Sequence, residues 1–161
     1  MSGMPDNGEL LIRRSTPADL EALIALYRHL NPADPEFDKA TAERAYAGML
    51  AQPGLSVFIG FVGDVPAATV TLAVIPNLTR GGAPYALIEN VVTHPAHRRR
   101  GHAGALLAHA VEKAWEAGCY KVMLLTGSTD PATLRFYENC GFTQDKTGFQ
   151  TRRPPEPPRM A

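Results

Sequence analysis

The sequence has few cysteines and no net charge, and each shortage excludes a class of protein. Its two cysteines, Cys119 and Cys140, stand in no CxxC pair and no Cys/His cluster with metal-ligand spacing. Neither a disulfide-rich fold nor a metal site is therefore expected. Lys plus Arg and Asp plus Glu number 16 each, so the formal net charge is zero. Binding to a nucleic-acid backbone draws on many cationic contacts, and no nucleic-acid partner is predicted.

Long apolar runs and internal repeats are also missing. No apolar run reaches the roughly 18 residues that span a bilayer, and no basic and apolar signal opens the sequence. We therefore expect a cytoplasmic protein with reduced thiols and no membrane association. The 161 residues, 45% of them apolar, suffice for one core. The expected organisation is a loose N-terminus at 1–8, a single domain over 9–153 and a Pro-rich tail over 154–161.

Helical and strand patterns alternate along the predicted domain. Helical spacing of apolar residues, with capping and stop signals, predicts four helices: from Thr16-Pro17, over Lys39–Leu50, over Ala103–Trp115 and from Asp130-Pro131 to Gly141. Strand patterns cover Leu10–Arg13, a hairpin turning at Gly63-Asp64, the segments 85–92 and 120–125, and a final hairpin made of "GFTQ" and "FQTRR". A strand–loop–helix–strand crossover predicts parallel pairing, and hairpins predict antiparallel pairing. The fold class is mixed α/β (α+β).

The segment between the strand at 85–92 and the next helix is rich in arginine and small residues. Arg98, Arg99 and Arg100 run directly into Gly101, and Gly104 follows. A helix start after a strand exposes unpaired N–H groups and partial positive charge, which together predict a cradle for a diphosphate. The alternative is tight packing of helix on strand beside a solvated basic turn. The spacing matches neither the GxxxxGK[ST] nor the GxGxxG motif.

Two segments resemble motifs of the GCN5-related N-acetyltransferase (GNAT) superfamily. The stretch "RRRGHA" from Arg98 is similar to the family's (Q/R)xxGx(G/A) motif, and "ATLRFYENCGF" resembles its helix with an aromatic-Tyr pair before Gly-Phe. "IENVV", "GCYK" and the closing "RR" are further similar to glucosamine-6-phosphate N-acetyltransferases. The resemblance implies a mixed central sheet, antiparallel in its N-terminal part, with splayed parallel strands and flanking helices.

The resemblance also implies acetyl-CoA as the acetyl donor. The loop would hold the diphosphate, the strand end at Val91-Val92 would pair with the pantetheine, and the thioester would point at Tyr137. The predicted cofactor-binding residues are Val91, Val92, Arg98, Arg99, Arg100, Gly101, His102, Ala103, Gly104 and Asp130. Asp130 is equally explained as a helix cap.

Acetylation of an amine needs a base, an oxyanion donor and a group that holds the leaving thiolate. Glu89 interrupts an apolar strand, and a buried carboxylate there would suit a general base; the alternative is a solvent-facing or Arg-paired side chain. The resemblance implies Tyr137 as the acid for the departing sulfur, whereas residue type alone equally allows a core tyrosine. The N–H of Val92 is the candidate oxyanion donor.

Arginines are the candidates for holding the acceptor. Arg80 lies in the predicted loop "PNLTRGGAP", and Arg152 and Arg153 form the basic end whose guanidinium groups would suit a phosphate, unless that end is merely solvated. We predict transfer to the primary amine of a small molecule such as an amino sugar phosphate. The alternatives are a protein lysine or N-terminal amine acetyltransferase and a non-catalytic coenzyme A-binding sensor. The final strand would allow a homodimer by pairing between two copies.

Overall fold

The computed structural model describes residues 8–154. Residues 1–7 and 155–161, which hold most of the predicted loose N-terminus and Pro-rich tail, lie outside the described residues. The chain divides into two compact units, the first ending at Thr126 and the second beginning at Gly127.

A five-stranded sheet forms the centre of the first unit, and its strands follow one another in sequence order. The strands are β1 (Leu10–Arg14), β2 (Leu55–Val62), β3 (Val65–Ile75), β4 (Tyr85–Thr93) and β5 (Val122–Leu124). Strands β1 to β4 pair antiparallel, and β5 pairs parallel with β4. The mixed sheet confirms the predicted fold class.

Helices cover both faces of this sheet. The first unit contains α1 (Leu20–Leu30), α2 (Lys39–Ala51) and α3 (His102–Glu116), with short 3₁₀ turns at Pro17–Asp19, Arg80–Gly82 and Pro95–His97. The second unit contains α4 (Pro131–Asn139), which Gly141 ends in the left-handed conformation at φ +93°. All four predicted helices are present.

The two faces of β2 explain why that strand reads as a continuous apolar run. Val57 and Ile59 point to one face, where they join Leu23 and Leu26 of α1 in a buried cluster. Phe58, between them, points to the other face, and its ring lies 4.8 Å from that of His109 on α3. Because side chains alternate along a strand, a sheet covered on both faces needs apolar residues at successive positions.

The hairpin of β2 and β3 turns at the predicted position. Val62 pairs with Val65, and Gly63 has φ +59°. A glycine with positive φ at the first central position gives a turn whose twist matches that of the flanking strands.

The predicted final hairpin is wrong. The described residues after α4 contain no strand, and the side chain of Phe149 is 93% exposed. A two-stranded hairpin without a buried apolar face is at best marginally stable in water, and the polar turn "QDKTG" offers no such face. The strand at 120–125 is likewise shortened to β5.

Candidate active site

The loop from β4 to α3 leaves a helix start without a side-chain cap. Gly101 is the N-cap residue, and no side chain accepts from the first turn. The first bond of the helix runs from the Ala105 N–H to the Gly101 carbonyl at 3.0 Å. The N–H groups of the residues between them have no partner inside the helix, so they are available to an anion. This arrangement supplies the free N–H groups that the predicted diphosphate cradle requires, and a solvated turn would leave the same groups free.

Two left-handed residues shape the loop just before this helix. Arg99 has φ +63° and Gly101 has φ +79°. A non-glycine residue costs about 1 kcal/mol in this region, so the loop keeps a strained residue at Arg99. The loop is tied to the sheet by the His94 N–H, which donates to the Ala67 carbonyl at 2.7 Å, and the three arginine side chains at 98–100 are exposed. Exposed guanidinium groups add positive potential around the helix start.

Strand β4 continues beyond its pairing with the short strand β5. The parallel register ends where Ile88 pairs with Leu124, while β4 continues to Thr93. Val92 keeps its pairing with Thr69 on the other side, and its side chain is buried in the core. The described part of the chain places no strand against the β5 side of β4 beyond Ile88. The backbone groups of β4 beyond Ile88 therefore have no strand partner on that side among the described residues.

A β-bulge stands at the point where the strands part. Across β3 and β4, Thr71 pairs with Glu89 and Thr69 with Val92, so two residues of β4 oppose one of β3. Asn90 takes the left-handed conformation of the bulge at φ +52°. Bulges re-aim side chains and end regular pairing, and they occur often beside active sites.

The expected burial of Glu89 is wrong, because its side chain is exposed. Within residues 8–154 it makes no ion pair and no hydrogen bond through its carboxylate. The bulge places Glu89 and Asn90 in succession on the open part of the strand. The Glu89 carboxylate is therefore exposed and unpaired among the described residues, directly after the last β4 residue that pairs with β5.

Two buried hydroxyl groups, one of them on the residue that pairs with Glu89 across the sheet, were not predicted. Tyr27 of α1 and Thr71 of β3 both have a buried hydroxyl oxygen without a hydrogen-bond partner among the described residues. In the sequence, Thr71 is one β-branched residue in a buried strand and Tyr27 is one apolar position of a helix. Neither pattern signals a site, because their meeting depends on how α1 packs across the sheet.

Tyr137 lies in the second unit, on α4. Its ring centroid is 5.1 Å from that of Phe136 and 6.5 Å from that of Phe142. Burial, and to a lesser degree Cys140, raises the pKa of its phenol above the ordinary value of 10.0. The phenol is therefore protonated at neutral pH and can donate a proton or a hydrogen bond.

The remaining predicted residues occupy varied surroundings. Asp130 caps α4, since its carboxylate accepts from the Ala132 N–H at 3.0 Å. The guanidinium of Arg80 lies 5.5 Å from the ring centroid of Tyr120. Arg152 and Arg153 are exposed and lie outside regular structure. Asp130 thus has a structural role, while Arg152 and Arg153 are accessible to an acceptor.

Four histidine rings form a row that runs from α1 through the β4–α3 loop to the start of α3. The ring centroids of His29 and His94 are 4.7 Å apart, those of His94 and His97 are 5.7 Å apart, and those of His97 and His102 are 6.2 Å apart. His102 is buried, and its Nε2 lacks a partner in the described part of the chain. Burial, then His97 and Arg100, lowers the pKa of His102. Its side chain faces inward, so only its backbone N–H is presented at the helix start.

Two absences hold for the described residues alone. No grouping of three or more His, Cys, Asp or Glu side chains in residues 8–154 could hold a metal ion. Over the same range, every helix is too short or too polar to cross a membrane.

Several proteins of similar sequence and fold are acetyltransferases. A sequence profile described as the acetyltransferase (GNAT) family matches residues 23–142. The glucosamine 6-phosphate N-acetyltransferase of Trypanosoma brucei brucei is 32% identical over 143 residues, which cover 86% of this chain and 92% of that protein. A solved "Putative acetyltransferase" from Agrobacterium tumefaciens str. C58 is 53% identical with a TM-score of 0.86, and covers 89% of this chain and 99% of its own.

A third similarity concerns the fold alone. An aminoglycoside N-acetyltransferase solved in complex with CoA has a TM-score of 0.77 at 20% identity, over 93% of this chain and 98% of that chain. The fold and the matches together define an acyltransferase. The chain belongs to the GNAT family of acetyltransferases, whose members use acetyl-CoA.

Proposed function

We propose that the enzyme transfers the acetyl group of acetyl-CoA directly to the primary amine of a small molecule. The observation that carries this proposal is that β4 loses its β5 partner after Ile88 and leads into the uncapped start of α3. The helix start and the residues 98–104 would hold the diphosphate, and the open edge of β4 near Val91 and Val92 would pair with the pantetheine. The Val92 N–H would then stabilise the oxyanion of the attacked thioester.

Glu89 is the proposed base. An alkylamine with a lysine-like pKa of about 10.4 is almost wholly protonated at neutral pH, so a proton must leave before nitrogen attacks. Glu89 is accessible and unpaired in the described residues, and it stands at the open part of β4. A proton can pass to it directly or through one water molecule.

Tyr137 is the proposed acid. As the carbon–sulfur bond breaks, negative charge builds on the thiolate, and a protonated phenol can donate to it. Like any tyrosine with a pKa of 10.0 or above, Tyr137 keeps its proton at neutral pH, so its hydroxyl can donate to the thiolate.

An amino sugar phosphate is the proposed acceptor. The support is the name of the Trypanosoma relative, together with the exposed Arg152 and Arg153 and with Arg80 in the loop before β4. Guanidinium groups bind phosphate oxygens through paired N–H donors. A cytoplasmic location and a homodimer stay predictions from the sequence.

An acceptor panel tests the proposal. The purified enzyme is given acetyl-CoA with glucosamine 6-phosphate, glucosamine, a lysine-containing peptide or a peptide with a free N-terminus, and thiol release is measured. We expect the greatest kcat/KM with the phosphorylated amino sugar. Greater turnover with a peptide would mean that the acceptor is a protein amine, and the proposed acetyl transfer would still hold.

Calorimetry with coenzyme A alone separates catalysis from binding. Heat of binding without turnover on any amine would favour a coenzyme A-binding sensor. An absence of binding at millimolar coenzyme A would overturn the proposal as a whole.

A further inference from the structure

Two neighbouring hydroxyl groups without hydrogen-bond partners among the described residues lie between α1 and the sheet. The Tyr27 hydroxyl is close enough to the hydroxyls of Thr71 and Thr69 for both to act on its pKa, although burial has the larger effect and raises it. Yet neither the Tyr27 hydroxyl nor the Thr71 hydroxyl has a hydrogen bond of acceptable geometry in the described residues. Leaving a buried hydroxyl unpaired destabilises a protein, so a partner is expected in the working enzyme.

The register of the sheet indicates that partner. Thr71 and Glu89 are directly paired across β3 and β4, so both side chains stand on the same face. Cβ atoms of such pairs lie about 5 Å apart, within reach of a hydroxyl and a carboxylate. The same face carries Val57, which pairs with Thr71 and packs against α1, the helix that brings Tyr27.

We propose that Thr71 and Tyr27 are positioning residues for Glu89, with the Thr71 hydroxyl hydrogen-bonded to its carboxylate and the Tyr27 hydroxyl to Thr71. The inference rests on the proposed function of Glu89 as base. It gives a reason for the two hydroxyls, which packing alone does not explain. Valine would fill the same space as Thr71 without an unpaired oxygen.

The hydroxyl chain can serve both protonation states of the base. Before transfer, Thr71 donates to the Glu89 carboxylate and accepts from Tyr27. After the acceptor nitrogen has given its proton to Glu89, the carboxylic acid donates to Thr71, and Thr71 donates to Tyr27. Tyr27 then donates to the oxygen of Thr69, whose own proton is held by the Phe58 carbonyl at 2.8 Å. No proton is lost or gained in this reversal.

The test is a double-mutant cycle with a conservative rescue. Thr71→Val, Thr71→Ser, Tyr27→Phe and Glu89→Gln are made alone, and Thr71→Val is combined with Glu89→Gln. The best acceptor of the panel is used, and thiol release gives kcat and the KM for acetyl-CoA. Thr71→Val should lower kcat about tenfold at unchanged KM, and Thr71→Ser should restore most of it. Tyr27→Phe should give a smaller loss in the same direction, and it supplies the test if Thr71→Val does not fold.

The cycle separates positioning from structure. If Thr71 acts through Glu89, Thr71→Val should lower kcat by less than twofold in the Glu89→Gln background. Losses that multiply, or a Thr71→Ser variant as slow as Thr71→Val, would overturn the inference and leave the proposed function standing. Full activity of Glu89→Gln would instead overturn the assignment of the base, and the inference with it.

Discussion

At the residue scale, the best-defined charge interaction of the enzyme is a structural one. The guanidinium of Arg13 donates to both oxygens of Asp19, at 2.7 and 2.9 Å, and the Thr16 N–H donates to the same carboxylate at 2.7 Å. The Arg13 hydrogen bonds, ahead of an opposing effect of burial, lower the pKa of Asp19 to about 2. This contact ties β1 to the start of α1, and so sets the position of the helix that carries Tyr27.

Replacing Asp19 should produce a pH-dependent loss of stability. Since the folded pKa lies below the ordinary value, the carboxylate stabilises the fold fully above about pH 4 and progressively less as the pH falls towards 2. Asp19→Asn should lower the unfolding free energy by roughly 1–2 kcal/mol at pH 7, a figure reduced for the partial exposure of Arg13. Urea unfolding at pH 7 and at pH 2.5 measures the difference, which should fall to about a third of its value in acid.

The exposed pair of Lys39 and Glu43 provides a control for that experiment. Their charged atoms are 3.7 Å apart, and the two side chains are 83% and 56% exposed. Glu43→Gln should change the unfolding free energy by less than about 0.5 kcal/mol. An Asp19→Asn variant as stable as Glu43→Gln would contradict the prediction.

Tyr137 allows a test of the acid at the same scale. Tyr137→Phe removes one hydroxyl and keeps the ring, so its contacts with Phe136 and Phe142 remain. If the hydroxyl donates only as charge builds on sulfur, kcat should fall about a hundredfold while acetyl-CoA affinity and melting temperature hold. Steady-state kinetics, calorimetry and thermal melting on one preparation measure all three. Tyr120→Phe is a matched control, and a less stable but fully active Tyr137→Phe would exclude the role.

At the element scale, the candidate site is defined by the backbone groups that β4 and α3 leave unpaired among the described residues. Strand β4 pairs with β3 on both sides of the bulge and loses its pairing with β5 after Ile88. Helix α3 starts at a glycine and has no acidic residue in its first turn. An acidic residue would normally stabilise that position, so its absence leaves the positive end of the helix to an anion.

Gly104→Glu should separate the stability of α3 from its proposed ligand. A glutamate in the first turn favours the helix itself, yet it places a negative charge where the diphosphate would bind. Coenzyme A affinity should fall at least a hundredfold, measured by calorimetry, with little change in melting temperature.

Gly48→Glu is the matched control, since Gly48 lies on the exposed side of α2 and a Cβ atom added there would meet only open space. It should leave affinity unchanged. Normal affinity in a folded Gly104→Glu variant would mean that the diphosphate binds elsewhere.

At the scale of the whole molecule, the balanced charge leaves few long-range electrostatic effects on stability. One buried histidine should therefore dominate the pH dependence of the unfolding free energy near neutral pH. His102 is buried at the start of α3, and its pKa is lowered chiefly by burial. The unfolded chain takes up the proton near pH 6.5, whereas the folded protein resists it. Stability from this residue is therefore complete above about pH 6.5 and is lost as the pH falls below it.

His102→Asn should make the unfolding free energy less dependent on pH between about 7.5 and 5.5. The variant should lose stability at pH 7.5 through poorer packing, and the gap to the native protein should narrow in acid. Urea unfolding at both pH values gives the comparison. An equal slope in the two proteins would contradict a role for His102.

Much of the fold followed from local patterns. The helices at α1 to α4, the turn at Gly63 and the helix start at Gly101 were predicted because caps, glycines and apolar spacing act over a few residues. The final hairpin failed for the opposite reason. Its alternating pattern had no buried surface to pack against, and strand formation depends on such a surface.

The sequence by itself determined the order of the elements, the basic, glycine-bearing helix start and membership of the GNAT family, because each is written in contiguous residues. Only the tertiary structure decided that Glu89 is exposed, that β4 leaves β5 after Ile88 and that Thr71 stands opposite Glu89. Those facts depend on strand register and on the bulge at Asn90, which long-range packing between β3, β4 and α1 selects. Slipping the register by one residue would move Thr71 to the other face of the sheet.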